Sequence, residues 1–178
     1  MDRIRASVQA DIEQSRPFRS PAQEATIALL RTASVVGRGL GRALEPSGLS
    51  LAQYNALRII RGAGAAGVAT LAVRQRMIEQ GTPITRMLDR LEERGYVRRD
   101  RAAADRRQVL CHVTPAGQRL LRRWDPVAND ADEAAMTALT DTQIKTLIAL
   151  LDAVRHENAQ RGKPRTMVSK PRPEPTTT

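Results

Sequence analysis

Residues Gly81 to Thr114 read GTPITRMLDRLEERGYVRRDRAAADRRQVLCHVT. Ile84, Met87, Leu88 and Leu91 recur at helical spacing and fall on one face. Thr82 is a good N-cap, and Pro83 at the first helical position loses no needed hydrogen bond. Gly95 supplies the left-handed stop. Beyond it the period changes to two, with Val97, then Val109, Cys111 and Val113, on either side of the charged run from Arg99 to Arg107. The stretch predicts a helix, a glycine stop and two short strands around an Arg/Asp tip. Cys111, between Val109 and Val113, is expected to face inward as a small buried hydrophobe rather than a reactive thiolate.

The residues upstream complete the pattern. Ser50 and Gln53 form a capping box with Leu49 and Tyr54 as its hydrophobic staple, which opens a helix carrying Leu57, Ile59 and Ile60. The run GAGAAG after Arg61 ends it. Thr70 is then expected to cap a helix through about Ile78, and Gln80 with Gly81 makes the turn. Two helices joined by a short glycine-containing turn and followed by a hairpin make a winged helix-turn-helix over about residues 50–114.

In that arrangement the start of the second helix enters the major groove of DNA. The outward positions there make Thr82, Pro83, Thr85, Arg86 and Arg90 the candidate contacts. A competing reading pairs Arg86 with Asp89 and Arg90 with Glu93 as solvated ion pairs worth about 0.2–0.5 kcal/mol each. On the hairpin tip, Arg106 and Arg107 suit the narrow minor groove, where the negative potential is strongest. Asp105 is expected to order that tip. The alternative for the tip is a mobile solvated loop.

Charge points the same way. The chain has 178 residues and a formal charge of +10, and from Arg74 to Arg123 thirteen Arg stand against six acids. Only three Lys occur in the whole sequence, at positions 145, 163 and 170. Arg offers a planar fork of donors that matches phosphate oxygens and guanine edges, so nucleic acid is the favoured partner. Aromatic residues make up 2% of the chain, too few for the stacking platforms of single-strand binders, and duplex DNA fits better. A single Cys excludes an internal disulfide, and with two His it is too few for an ordinary structural zinc site. No cofactor is expected. The sequence has no apolar run long enough to span a membrane and no apolar segment of a signal peptide at its start, which predicts a cytoplasmic protein without a membrane partner.

The flanks read as helical. Residues 1–20 form an arm with Ile4, Val8 and Ile12 at four-residue spacing before Pro17 and Pro21. A helix over about 23–45 carries Ile27, Leu30, Leu40 and Leu44, with Gly37, Gly39 and Gly41 either admitting a neighbouring helix or weakening this one. Thr114 and Pro115 start a helix with Leu120, Leu121 and Trp124, which Pro126 should kink. Trp124 is expected in the core. Thr140 and Gln143 form a second capping box, and Ile144, Leu147, Leu151 and Val154 make an apolar stripe. Flanking Ile148 and Leu150 widen it beyond what one small domain needs, so it is a candidate interface. Residues 161–178, rich in Pro, Lys, Arg and Thr, are expected to be disordered.

The order Leu71 to Gly117, with ITRMLDRLEERGYVRRD, then Asp105-Arg106-Arg107, then Val113-Thr114-Pro115-Ala116-Gly117, resembles the multiple antibiotic resistance regulator (MarR) family of winged-helix transcription factors. That family carries Asp-x-Arg in its wing and a Leu-Thr-x-x-Gly turn after it; here Val113 stands for the Leu. The resemblance covers about residues 25–160. It implies a mainly α fold with a small two-to-three-stranded β wing, and one domain over 21–160 whose helices at about 23–45 and 115–160 interlock into a two-fold dimer. Ile27 and Leu30 would join Ile144, Leu147, Leu151 and Val154 there. It also implies a repressor on a near-palindromic operator, released by a small-molecule effector that lodges between the dimer helices and the winged domain. No enzyme is expected, since His112 and His156 fall on separate elements. The rival is a winged-helix module that docks a protein partner without reading DNA.

Overall fold

The computed structural model describes residues 7–79, 81–102 and 108–161. The chain divides into two units, residues 1–135 and 136–178.

The first unit begins with a single turn, α1 (Val8–Asp11), capped by Ser7, whose hydroxyl accepts from the Ala10 amide at 3.2 Å. Asp11 holds the turn to the next helix by accepting from Arg31 Nε at 2.6 Å. Helix α2 (Pro21–Leu44) starts where Ser20 accepts from the Gln23 amide and Pro21 takes the first helical position, two residues before the sequence reading placed it. Leu44 is buried, whereas Leu29, Leu30 and Val35 are exposed. A Cβ added at Gly37, Gly39 or Gly41 would meet nothing within 4 Å. Among the described residues, then, these glycines admit no close neighbour.

After a 3-10 turn (Glu45–Ser47) and a left-handed Gly48, helix α3 (Leu51–Gly62) opens with the Ser50–Gln53 capping box. Leu49 and Tyr54 are both buried beside it, as the staple requires. Strand β1 (Val68–Ala69) follows the glycine-rich run and leads into α4 (Thr70–Arg76). Two expectations fail here. Thr70 is the first helical residue rather than its cap, and its hydroxyl turns toward the Val109 carbonyl (3.4 Å) and Cys111 Sγ (3.6 Å). The helix also ends at Arg76, because Met77 turns to extended backbone to bury its side chain and leaves Ile78 75% exposed.

Helix α5 (Ile84–Glu93) buries the expected face, Ile84, Met87, Leu88 and Leu91. Its start differs from the sequence reading. Pro83, at φ −70° and ψ 81°, is the cap residue rather than the first helical one, with no side-chain capping bond. The Thr82 hydroxyl donates instead to the Glu79 carbonyl at 3.1 Å. At the far end Gly95 has φ +71°, the left-handed stop that glycine favours.

Strands β2 (Val97–Arg101) and β3 (Val109–Val113) pair antiparallel, from Val97 opposite Val113 to Arg101 opposite Val109. The Ala102 amide donates to the Gln108 carbonyl at 2.9 Å and continues the ladder toward the tip. Strand β1 adds to the other edge of β3, with Val68 opposite Cys111, so the sheet order is β1-β3-β2. Cys111 is fully buried and Val113 half-buried, but Val109 is 37% exposed because the hairpin leaves the core before reaching it. Burial pushes the Cys111 thiol up, against a weaker opposing bond from Thr70, which keeps it protonated.

Helix α6 (Pro115–Met136) is capped by Thr114, whose hydroxyl accepts from the Gly117 amide at 3.1 Å and donates to the Gly95 carbonyl at 2.6 Å. It continues through Pro126, where one carbonyl loses its helical donor. Leu121 is fully buried, and Trp124 packs against the core it helps to form with Leu44, Leu57, Ile60, Val73, Leu88 and Leu91.

The second unit is described as far as α7 (Asp141–Arg161). Gln143 Oε1 accepts from the Thr140 amide at 2.9 Å, and Thr140 Oγ1 accepts from the Gln143 amide at 3.4 Å. Both halves of the predicted capping box are present. No α7 side chain that is described is buried, and Ile148, Leu150 and Val154 are exposed.

Candidate nucleic-acid interface

Helix α5 presents a polar face opposite the buried one. Pro83, Thr85, Arg86 and Arg90 are exposed and Thr82 is half-buried. Two of the acids beside these arginines, Asp89 and Glu92, are drawn elsewhere. Arg99, on β2, donates from Nε to Glu92 Oε2 at 2.8 Å and from Nη2 to Asp89 Oδ1 at 2.6 Å, while its amide donates to Glu92 Oε1 at 2.9 Å. Its guanidinium is held even more firmly protonated by these bonds, that to Glu92 first, despite partial burial. The competing pairing of Arg86 with Asp89 is not formed. Among the described residues neither Arg86 nor Arg90 has an ion-pair partner.

Arg99 therefore does two things. It fastens the root of the hairpin to α5, and it cancels two carboxylates that would repel a phosphate backbone beside Arg86. The sequence reading missed it. Its partners lie seven and ten residues away across the helix-to-strand turn, a spacing with no local motif. Asp100, its neighbour, pairs with Arg98 at 3.0 Å. Asp105, Arg106 and Arg107, the predicted tip contacts, lie outside the described residues.

A polar knot joins α3 to α6. Asp125 accepts from the Tyr54 hydroxyl at 2.7 Å and from Arg61 Nη1 at 2.6 Å. Burial, together with the bond to Asp125, pushes Tyr54 up to about 12. Partial burial opposes ionisation of Asp125, but the bonds from Arg61 and Tyr54 outweigh it and hold the carboxyl below its usual value. A depressed folded-state value contributes stability above the unfolded value of about 3.9, lost as pH falls through the folded one. Wild type is thus expected to melt higher than Asp125→Asn at neutral pH, with the gap closing below about pH 4 in thermal melts. A gap unchanged by acid would remove Asp125 from the account. Tyr54, with a raised value, adds an alkaline limb: stability falls as pH climbs from about 10 to about 12.

Beside this knot is a cavity of about 120 Å³ between α2, α3 and α6, lined by Leu40, Leu44, Tyr54, Arg58 and Asp132 among others.

This arrangement has known counterparts. The profile described as MarR family matches residues 49–109. The crystal structure of a MarR transcription factor from Planctomyces limnophilus is 33% identical, covers 77% of this chain and 99% of its own, and superposes with a TM-score of 0.59. The chain belongs to the MarR family. A mutant MarR from Escherichia coli, solved in complex with operator DNA, is 29% identical over 71% of this chain and 90% of its own, with a TM-score of 0.65. The HTH-type transcriptional repressor Rv2887 of Mycobacterium tuberculosis is 27% identical over 124 residues, 70% of this chain and 88% of that protein. Such relatives are transcription regulators rather than enzymes, and the chain is a transcriptional regulator of the MarR type. Among the described residues of this MarR-family chain, no helix is long and apolar enough to cross a membrane.

Proposed function

We propose that this MarR-family regulator binds a near-palindromic operator as a homodimer, represses transcription by occupying it, and is released by a small-molecule effector. The observation that carries the reading is that Arg86 and Arg90 are exposed on a helix whose Asp89 and Glu92 are bound to Arg99, and that neither has an ion-pair partner among the described residues. Helix α5 enters the major groove with Thr82, Pro83, Thr85 and Arg86 nearest the bases, and Arg90 one turn behind. The wing reaches the flanking minor groove with Arg106 and Arg107, ordered by Asp105. Support for a dimer comes from apolar side chains that one chain leaves uncovered: Leu30 is 66% exposed, Ile148 53% and Leu150 61%. A second copy would cover these together with Ile27, Ile144, Leu147, Leu151 and Val154. Two-fold symmetry then places half-sites about one helical turn, roughly 10 bp, apart.

Release needs an effector that favours one dimer geometry over the other. The cavity beside Tyr54, at about 120 Å³, is smaller than the roughly 300–1,000 Å³ of ordinary ligand pockets, so an effector seated there would have to widen it. Filling it would spread α3 from α6, which the Tyr54–Asp125 bond joins.

The test is Arg86→Ala. If Arg86 reads a base, binding to the preferred duplex weakens by about 1–3 kcal/mol and sequence preference blurs; if it holds a phosphate, affinity falls evenly across sequences. Unchanged affinity on every duplex would remove α5 from the interface.

A further inference from the structure

Helix α2, which the reading above gives to the dimer, ends at Leu44, and its last turn is tied closely to Gly48. The Ser47 hydroxyl donates to the Leu44 carbonyl at 2.6 Å and accepts from the Leu49 amide at 3.0 Å, while the Gly48 amide donates to the Glu45 carbonyl at 2.9 Å. Gly48 has φ +70°, and a Cβ there would lie 3.0 Å from Arg94 Nη2. Glycine meets both demands, the left-handed turn and the close approach. The Gly48 carbonyl then accepts from Arg94 Nη1 at 2.7 Å, across 46 residues of sequence. The same guanidinium lies over the Tyr96 ring, 5.0 Å from its centroid, so the fork is held from two sides.

Arg94 is also the C-cap of α5, and its amide donates to the Arg90 carbonyl at 3.2 Å. One side chain thus straps the end of α2 to the end of the helix that carries Arg86 and Arg90. Leu44 and Leu49, both buried, hold the same turn to the core, but apolar contact has no direction and tolerates a small rotation. The hydrogen bond is directional and weakens steeply as its angle bends. On another side the turn borders an open cleft of about 580 Å³ lined by Arg38, Gly41, Arg42 and Ser50, so packing among the described residues does not clamp it there.

We propose that Arg94 sets the angle between α2 and α5, and with it the half-site spacing that the two α5 helices of a dimer can reach. The proposal rests on the dimeric DNA-binding reading above and assigns its spacing specificity to a residue outside the groove. Arg94 is a positioning residue: it stands at the end of α5 remote from Thr82, Pro83, Thr85 and Arg86, and acts through the placement of the helix. Each protomer of a two-fold dimer carries one strap, so slack in the strap enters the spacing twice.

Mobility shifts on a set of duplexes test the strap. The consensus that wild type selects from a random-sequence pool is rebuilt with one or two base pairs added or removed at its centre, each half-site intact. Wild type, Arg94→Met and Arg94→Lys are compared as full-length chains. Methionine keeps much of the apolar stem and removes the donor; lysine restores one. Wild type is expected to lose affinity sharply as the spacing departs from the selected one. Arg94→Met should bind the selected spacing nearly as wild type does, with its preference for that spacing reduced by roughly 2- to 30-fold, the range seen for residues that carry coupling between sites. Arg94→Lys should recover most of the preference. Because Arg94 is exposed, the melting temperature of Arg94→Met should stay near that of wild type. A spacing preference in Arg94→Met equal to that of wild type overturns the strap while leaving the DNA reading intact. Equal weakening at every spacing also overturns it, since Arg94 would then be a DNA or scaffold contact. Wild type that selects no two-fold consensus overturns both.

Discussion

Replacing Leu88 with alanine is expected to cost about 2–5 kcal/mol of folding stability, and operator binding with it. Leu88 is fully buried on the inward face of α5. Deleting its branched end removes transfer free energy and leaves a cavity that closely packed neighbours fill only in part. The site has little room to compensate, since α5 is ten residues long and holds to the body through Ile84, Met87, Leu88 and Leu91. Its other face is committed to solvent or DNA. Urea unfolding checks the cost, and Leu88→Met, which nearly conserves volume, should lose less than about 1.5 kcal/mol. A loss below about 1 kcal/mol in Leu88→Ala would mean that this face does not anchor the helix.

Gly117→Ala is expected to destabilise by about 3 kcal/mol, the upper end of ordinary overpacking. A Cβ there would lie 2.4 Å from the Tyr96 carbonyl oxygen and 2.8 Å from Val113 Cγ2. The first contact is with backbone, so no rotamer change relieves it. The same Tyr96 carbonyl accepts from the Thr114 amide at 3.0 Å, and the Thr114 hydroxyl is bonded to the Gly95 carbonyl. Moving α6 away therefore breaks the junction between the end of α5, the wing and the following helix. Alanine gains about 1 kcal/mol over glycine in helix propensity, which is smaller than the clash. A higher melting temperature in Gly117→Ala would contradict this packing. The glycine of the family-like turn after the wing is required by space: its φ lies outside the left-handed region, and what it provides is room for Tyr96.

Most of the scaffold was legible because its signals are local. Ser50 with Gln53, Thr140 with Gln143, Thr114 and Gly95 each act within one turn of chain, and each cap forms as expected. The buried face of α5 follows from spacing alone. Strand β1 was hidden because two residues carry no period, and its place beside β3 is set by a pairing more than forty residues away in sequence. The start of α5 was misplaced because cap rules value Thr and Pro by type, whereas the cap position falls on Pro83, which has no side-chain acceptor, and Thr82 lies one residue before it. Thr70 likewise lies inside its helix rather than at the cap, with its hydroxyl donating to the Val109 carbonyl of the wing strand.

The candidate site was legible in part. Residue type and helical position picked out Arg86 and Arg90, but sequence left open whether Asp89 and Glu93 would neutralise them. For Asp89 the answer depends on Arg99, whose reach to Asp89 and Glu92 exists only once β2 folds back along α5.

The central claim is that two copies of this winged domain read duplex DNA together. Selection of bound duplexes from a random-sequence pool tests it most directly. A two-fold consensus with half-sites about one helical turn, roughly 10 bp, apart is expected. No enrichment, or a consensus without two-fold symmetry, would contradict it.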